Sequence, residues 1–163
     1  MTTTSLPDEM ATLAASISDS DDRMDFSVRS LSVLDSELME PLGAERRAAV
    51  AAYLGEVIRR NSSVEVVWQW PPPKGIYPDC AHLKVAGQHY LCPDQRVGPD
   101  WKPAPNDSLV DYADRAITLV ANPTKETAEH LGLKPAYKFP TVWAGIRDVW
   151  TRRQRRRMGH VPS

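Results

Sequence analysis

Four residues within one short stretch carry the chemistry of a metal site: Cys80, His82, His89 and Cys92. Two thiolates and two neutral imidazoles make a donor set that suits tetrahedral zinc. The spacing, C-x-H and then H-x-x-C, differs from the usual finger pattern. Whether the four donors converge depends on the hairpin that holds them. "HLKV" and "QHYL" read as two strands joined by a turn at Ala86-Gly87. A two-residue turn there sets Lys84 opposite His89 and His82 opposite Leu91. Side chains alternate between the faces of a strand, so Cys80, His82 and His89 share one face and Cys92 takes the other. A slip of one residue would change that arrangement. The geometry favours ordinary hairpin residues over zinc, and no cofactor is expected.

Other catalytic signatures are missing from the sequence. It contains no G-x-S-x-G, no H-E-x-x-H, no phosphate-cradling glycine loop and no dinucleotide fingerprint. His130 stands close to Gly132, at the end of a short expected helix, where a cationic side chain suits the last turn. "DSDD" at residues 19–22 lacks the glycine and the distal glutamate of a calcium loop. Glu56 falls off the apolar face of its helix, beside Gly55. It is expected either to hydrogen-bond towards the hairpin or to face solvent, and no second acid is spaced to form a catalytic pair. Trp68, Trp70 and Trp101 could line an aromatic surface, but two tryptophans on one strand face favour a core position.

These residues must be held by a mixed set of elements. Residues 1–24 form an acidic, weakly ordered segment, with a loose helical spacing at Met10, Leu13 and Ile17. Ser27 caps a helix whose stripe is Val28, Leu31, Leu34, Leu38 and Met39, ended by Pro41 and Gly43. "AERRAAVAAYLGEVIRRN" is the strongest helix, because Val50, Leu54, Val57 and Ile58 lie on one face. Gly55 in its middle marks the close approach of another element. "SVEVVWQW" alternates as a strand, with Val64, Val66, Trp68 and Trp70 on one side, until Pro71, Pro72 and Pro73 stop it.

After the hairpin, Asn106 or Asp107 caps a helix with the stripe Leu109, Ala113, Ala116, Ile117 and Val120. A short helix over "TKETAEHLG" and a last helix opened by Pro140 follow. The order predicts an α+β fold: two N-terminal helices, a small antiparallel sheet made of a strand plus a hairpin, and C-terminal helices packed on one layer. Residues 25–150 form the single domain, and residues 151–163 form a basic tail.

Charge is distributed unevenly along the chain. The first 45 residues carry ten acids against two arginines, while residues 133–163 carry eight bases against one acid. The net charge of -1 conceals this bipolarity. On the last helix, Arg153 and Arg157 fall at about 20° and 60°, inside the apolar sector. A packed helix is not expected to point arginine at its core, so the helix projects or ends beyond Trp150. Arg152, Arg153, Arg155, Arg156 and Arg157 then form an exposed surface for an acidic protein partner, a second copy or nucleic acid. Hydrophobic residues make up 42% of the chain, and no stretch approaches the length of a membrane helix. The N-terminus lacks the pattern of a secretory signal, and two cysteines suit a cytoplasmic protein with reduced thiols.

"AAYLGEVIRRN", the tryptophan-bearing strand, "LKVAGQHYLCP" and "DSLVDYADRAITL" together resemble a family of small bacterial domains common in actinobacteria. In that family a Y-x-G-E or F-G-E helix precedes a short sheet with a G…P hairpin and a closing helix. Tyr53, Gly55, Glu56, Trp68, Gly87 and Pro93 carry the resemblance, over roughly residues 26–121. The prolines of 71–79 and the arginine tail depart from it. The resemblance implies the fold and no activity. The functional expectation is a non-catalytic interaction, regulatory or immunity-type module. The alternatives are a nucleic-acid-associated protein using the tail, and a small enzyme or zinc protein centred on the Cys80–Cys92 hairpin.

Overall fold

A helix that is apolar or small on every side belongs inside a protein. Helix α3, Ala44–Asn61, meets that description only in its alanine- and valine-rich middle, yet every residue from Arg47 to Ile58 is buried. Its bounds match the sequence expectation residue for residue. Ala48, Ala49, Ala51 and Ala52 leave room for neighbouring elements to approach, while Tyr53, Leu54, Val57 and Ile58 supply bulk. In the computed structural model, which describes residues 5–70, 81–84 and 90–122, helices from before and after α3 in the chain pack against it. The expected helices after residue 122 and the arginine run lie outside the described residues.

Helix α1, Leu6–Ser18, corrects the reading of a weakly docked N-terminus. Leu6, Met10, Leu13, Ala14 and Ile17 form a full helical stripe, all buried, and α1 packs along α3. The acidic composition that suggested looseness lies largely off this stripe. Asp8 and Glu9 fall in the first turn, where negative charge suits the helix dipole. Ser5 caps the helix by accepting from the Asp8 amide.

Ser27 caps the next element as expected, but that element opens as a single 3-10 turn, Val28–Ser30, before α2, Leu31–Glu37. Leu31, Leu34 and Leu38 are buried, whereas Met39 is 56% exposed and does not belong to the stripe.

Strands β1, Val67–Gln69, β2, His82–Lys84, and β3, Tyr90–Leu91, form one antiparallel sheet in the order β1-β2-β3. Together with the helices this gives the α+β architecture. Val66 and Trp68 are buried as the alternation requires, and Trp70 packs partly against the core. Val64 departs from the pattern and is exposed, three residues before the strand begins.

The hairpin register differs from expectation by one residue. Lys84 pairs with Tyr90 and Leu83 with Leu91, so five residues separate the strand ends where a two-residue turn was expected. Trp68 pairs with Leu83 on the other side. The observed register therefore lines up Trp68, Leu83 and Leu91, all buried, across the sheet. Burial of that apolar row sets the pairing, since a slip would send alternate residues to the wrong face.

A short helix, α4, Pro93–Arg96, follows β3. Helix α5, Leu109–Ala121, closes the described chain. Its cap is Ser108, in a reciprocal capping box with Asp111, in place of the expected Asn106 or Asp107. Asn106 instead takes a positive φ of 62° in the preceding turn. Leu109, Ala113, Ala116 and Val120 are buried as expected; Tyr112 and Leu119 are buried too, and Ile117 is only partly covered.

Gly55 supplies the closest fit between layers. A Cβ placed there would lie 2.2 Å from two atoms of the Trp68 indole, and the ring of Pro93 is close by. Ordinarily Gly-to-Ala in a helix interior is stabilising. Here Gly55→Ala is expected to destabilise by about 1–3 kcal/mol through overpacking. Combining it with Trp68→Leu should cost less than the sum of the two single changes, which a urea-unfolding double-mutant cycle measures.

Candidate functional site

Directly beside Gly55, the next residue of α3 turns inward. Glu56 is 1% exposed, and its carboxylate accepts four hydrogen bonds. Trp68 Nε1 donates to Oε1 at 2.9 Å and Arg59 Nε donates to the same oxygen at 2.9 Å. Arg59 Nη2 donates to Oε2 at 2.8 Å, and Arg60 Nε donates to it at 3.1 Å. The hydrogen bond thus reaches across to the sheet, though to β1 and not to the hairpin. The helical spacing i, i+3 and i+4 places both arginines over the acid.

Burial alone would raise the Glu56 pKa. The hydrogen bonds from Arg59, Trp68 and Arg60, with the Arg59 charge, outweigh that cost and leave it below its ordinary value. With two donors on each oxygen, the carboxylate has no acceptor position left for a substrate. A general base also needs a pKa near the working pH. Glu56 is therefore a structural anion that joins α3 to β1.

The network continues through Arg60 to the loop after α1. The Arg60 guanidinium lies 3.7 Å from the centroid of the Phe26 ring, and that ring stacks on Tyr53 at 4.7 Å. Phe26 has a φ of 61°, a costly conformation for a bulky side chain. Two side chains of α3 hold its backbone there. Its amide donates to the Tyr53 hydroxyl at 2.8 Å, and Asn61 Nδ2 donates to its carbonyl at 2.9 Å. The Tyr53 hydroxyl also meets the buried Ser30 Oγ at 2.8 Å.

Two further arginines make polar clusters that were not anticipated from the sequence. Arg47 is buried and donates to the carbonyls of Leu42, Val97, Gly98 and Pro99. It lies three residues before Val50, on the apolar stripe, and that position was the available signal. Arg96 lies over the rings of Trp101 and Tyr112 and pairs with Asp107, which Arg115 also reaches. At the N-terminus of α5, Asp35 accepts from the Leu109 amide at 2.8 Å. Burial nevertheless raises the Asp35 pKa.

The zinc candidates are divided. Cys80 and His89 lie outside the described residues. His82 is fully buried in β2. Cys92 is buried and disulfide-bonded, which corrects the expectation of reduced thiols. A sulfur in a disulfide offers no thiolate to a metal. Among the described residues, no group of three or more His, Cys, Asp or Glu side chains is placed to hold a metal ion. Trp68 belongs to the core and Trp101 is half-buried under Arg96, so neither opens an aromatic surface. Arg152, Arg153, Arg155, Arg156 and Arg157 lie outside the described residues. Among those described, no helix is long and apolar enough to cross a membrane.

Comparison of the chain with protein-family models, curated proteins and solved structures gives no match. Four residues of the resemblance do meet in space: Gly55, Glu56, Trp68 and Pro93 form the junction of α3 with the sheet and α4.

Because Glu56 titrates below its ordinary value of 4.5, its contribution is complete above about that pH and is lost as pH falls through the lowered folded value. Glu56→Gln should cost roughly 1–3 kcal/mol at neutral pH. The difference between wild type and variant should shrink steadily below about pH 4.5, as read from urea midpoints across an acid series.

Proposed function

We propose that this chain is a non-catalytic protein-interaction module of a regulatory or immunity type, and that its acidic N-terminal region is the contact surface. The supporting observation is a set of exposed acids that lie outside the ion pairs of the described residues. Asp8, Asp19, Asp22, Asp25, Glu40 and Glu45 are all exposed. Among the described residues none of them enters an ion pair, whereas Asp21 and Glu37 are held by Arg23 and Arg46. Among the described residues the most deeply buried acid, Glu56, is occupied by four donors and serves the fold.

Complementary potential selects the partner and speeds its encounter. A basic protein segment fits this surface, and the arginine run of a second copy has the matching charge. Mutual exchange of such ends gives a closed two-fold dimer. The full chain should associate at about 50 mM salt and separate at about 500 mM, as screening shortens the reach of exposed charges. Replacing Arg152, Arg153, Arg155, Arg156 and Arg157 with Gln should leave a monomer at both salts by sedimentation. A wild-type monomer at low salt that also fails to bind an arginine-rich peptide would remove this reading.

The five arginines within six positions also support a second reading, association with nucleic acid. In that case affinity for a labelled DNA duplex should fall linearly with salt on logarithmic axes, and the five-glutamine variant should not bind. Absence of duplex binding at low salt, or binding unchanged in the variant, would exclude it.

A further inference from the structure

Cys92 sits where a covalent constraint has consequences. It follows Leu91 of β3 and serves as the residue before α4, with 5% of its surface exposed. Its neighbour Pro93 brings its ring to 3.4 Å from the position a Cβ would take on Gly55. Cys92 is disulfide-bonded, and the sequence contains one other cysteine, Cys80. Cys80 lies outside the described residues, so the cysteine count names it and no distance does.

We infer that Cys80 and Cys92 form an intramolecular disulfide that closes the β2–β3 segment, and that this bond takes the place of metal ligation there. The loop it closes spans about 13 residues, long enough for a cross-link to restrict the unfolded chain appreciably. Leu83 and Leu91, paired within that loop, are fully buried beside Trp68. The bond therefore holds together the two strands that complete the apolar row against α3.

Formation needs an oxidant, and a disulfide donor supplies it. One cysteine thiolate attacks a sulfur of the donor, giving a mixed disulfide and releasing one donor thiol. The second cysteine thiolate then attacks the protein sulfur of that mixed disulfide and expels the other donor thiol. Two electrons pass from the cysteine sulfurs to the donor, and the two thiol protons end on the released donor thiols. Such bonds persist in oxidising surroundings, so a cytoplasmic placement loses the support it drew from reduced thiols.

The test uses the full chain, equilibrated in a glutathione buffer with the oxidised form in excess. The protein is then denatured, alkylated and weighed intact, with and without prior reduction. The expected product is a monomer that takes no alkyl group until it is reduced and then takes two. Cys80→Ser should leave Cys92 open to alkylation or to glutathione. Reduction of the wild type should lower Tm by roughly 5–15 °C, and Cys80→Ser should show the lowered Tm with no response to reductant. Two alkyl groups without reduction, a covalent dimer, a glutathione adduct on wild-type Cys92, or zinc retained by two free thiols would each overturn the assignment. The wild-type mass alone decides the point if the serine variant does not fold.

Discussion

The packing of this protein turns on the contact between the Trp68 indole and Gly55. The ring lies where a Cβ of any other residue would be, which lets the indole rest against the backbone of the central helix. That approach brings Trp68 Nε1 to the Glu56 carboxylate. An indole N–H buried without an acceptor would carry a desolvation penalty, and so would a carboxylate buried without donors. Each group offsets the other's cost. Arg59 and Arg60 complete the arrangement while keeping about 40% of their side chains exposed, so they remain partly hydrated. The carboxylate bears most of the desolvation, and that is why it needs so many donors. One small residue thus fixes the separation of two layers, and the polar group next to it fixes their register.

The other buried polar groups follow the same logic on a smaller scale. Arg47 replaces water with main-chain carbonyls that the irregular segment after α4 would otherwise leave unsatisfied. Tyr53 and Asn61 satisfy the backbone of Phe26, allowing a positive φ that sterics disfavour. In each case a side chain of α3 serves an irregular stretch of chain. The central helix therefore does more than fill the core: it satisfies loops that have no ladder of their own. Side chains committed this way are not available for chemistry on a substrate, which is why the most buried charges argue for architecture.

The legible parts of the fold were those governed by local periodicity. The bounds of α3 followed from its stripe, and the closeness of something to Gly55 followed from the cost of glycine in a helix. That the approaching group is Trp68 was not legible, since the contact joins residues 13 apart through a turn in the chain. The hairpin shows the limit most clearly. Ala86-Gly87 suggested a two-residue turn, and the predicted register inherited that choice. The apolar row of Trp68, Leu83 and Leu91 carried a competing signal, and burial outweighed turn chemistry. In helix α1 composition and spacing point different ways: the acids suggest a loose segment, whereas Leu6 and Ala14 complete a buried stripe with Met10, Leu13 and Ile17. The cap of α5 failed by one residue for a similar reason. Three candidate side chains stand in a row, and only Ser108 has Asp111 placed to answer it.

Arg47 shows what burying an arginine requires in this chain. On the helix that the sequence predicts there, Arg153 and Arg157 would fall at core-facing angles. Yet Arg47 occupies a core-facing position on α3 and is buried. Its burial depends on four carbonyl acceptors drawn from two separate stretches of chain. Acceptor supply, then, decides whether an arginine at such an angle can be buried. Five arginines within six positions would need acceptors on every side of one helix turn, together with a desolvation cost for each charge.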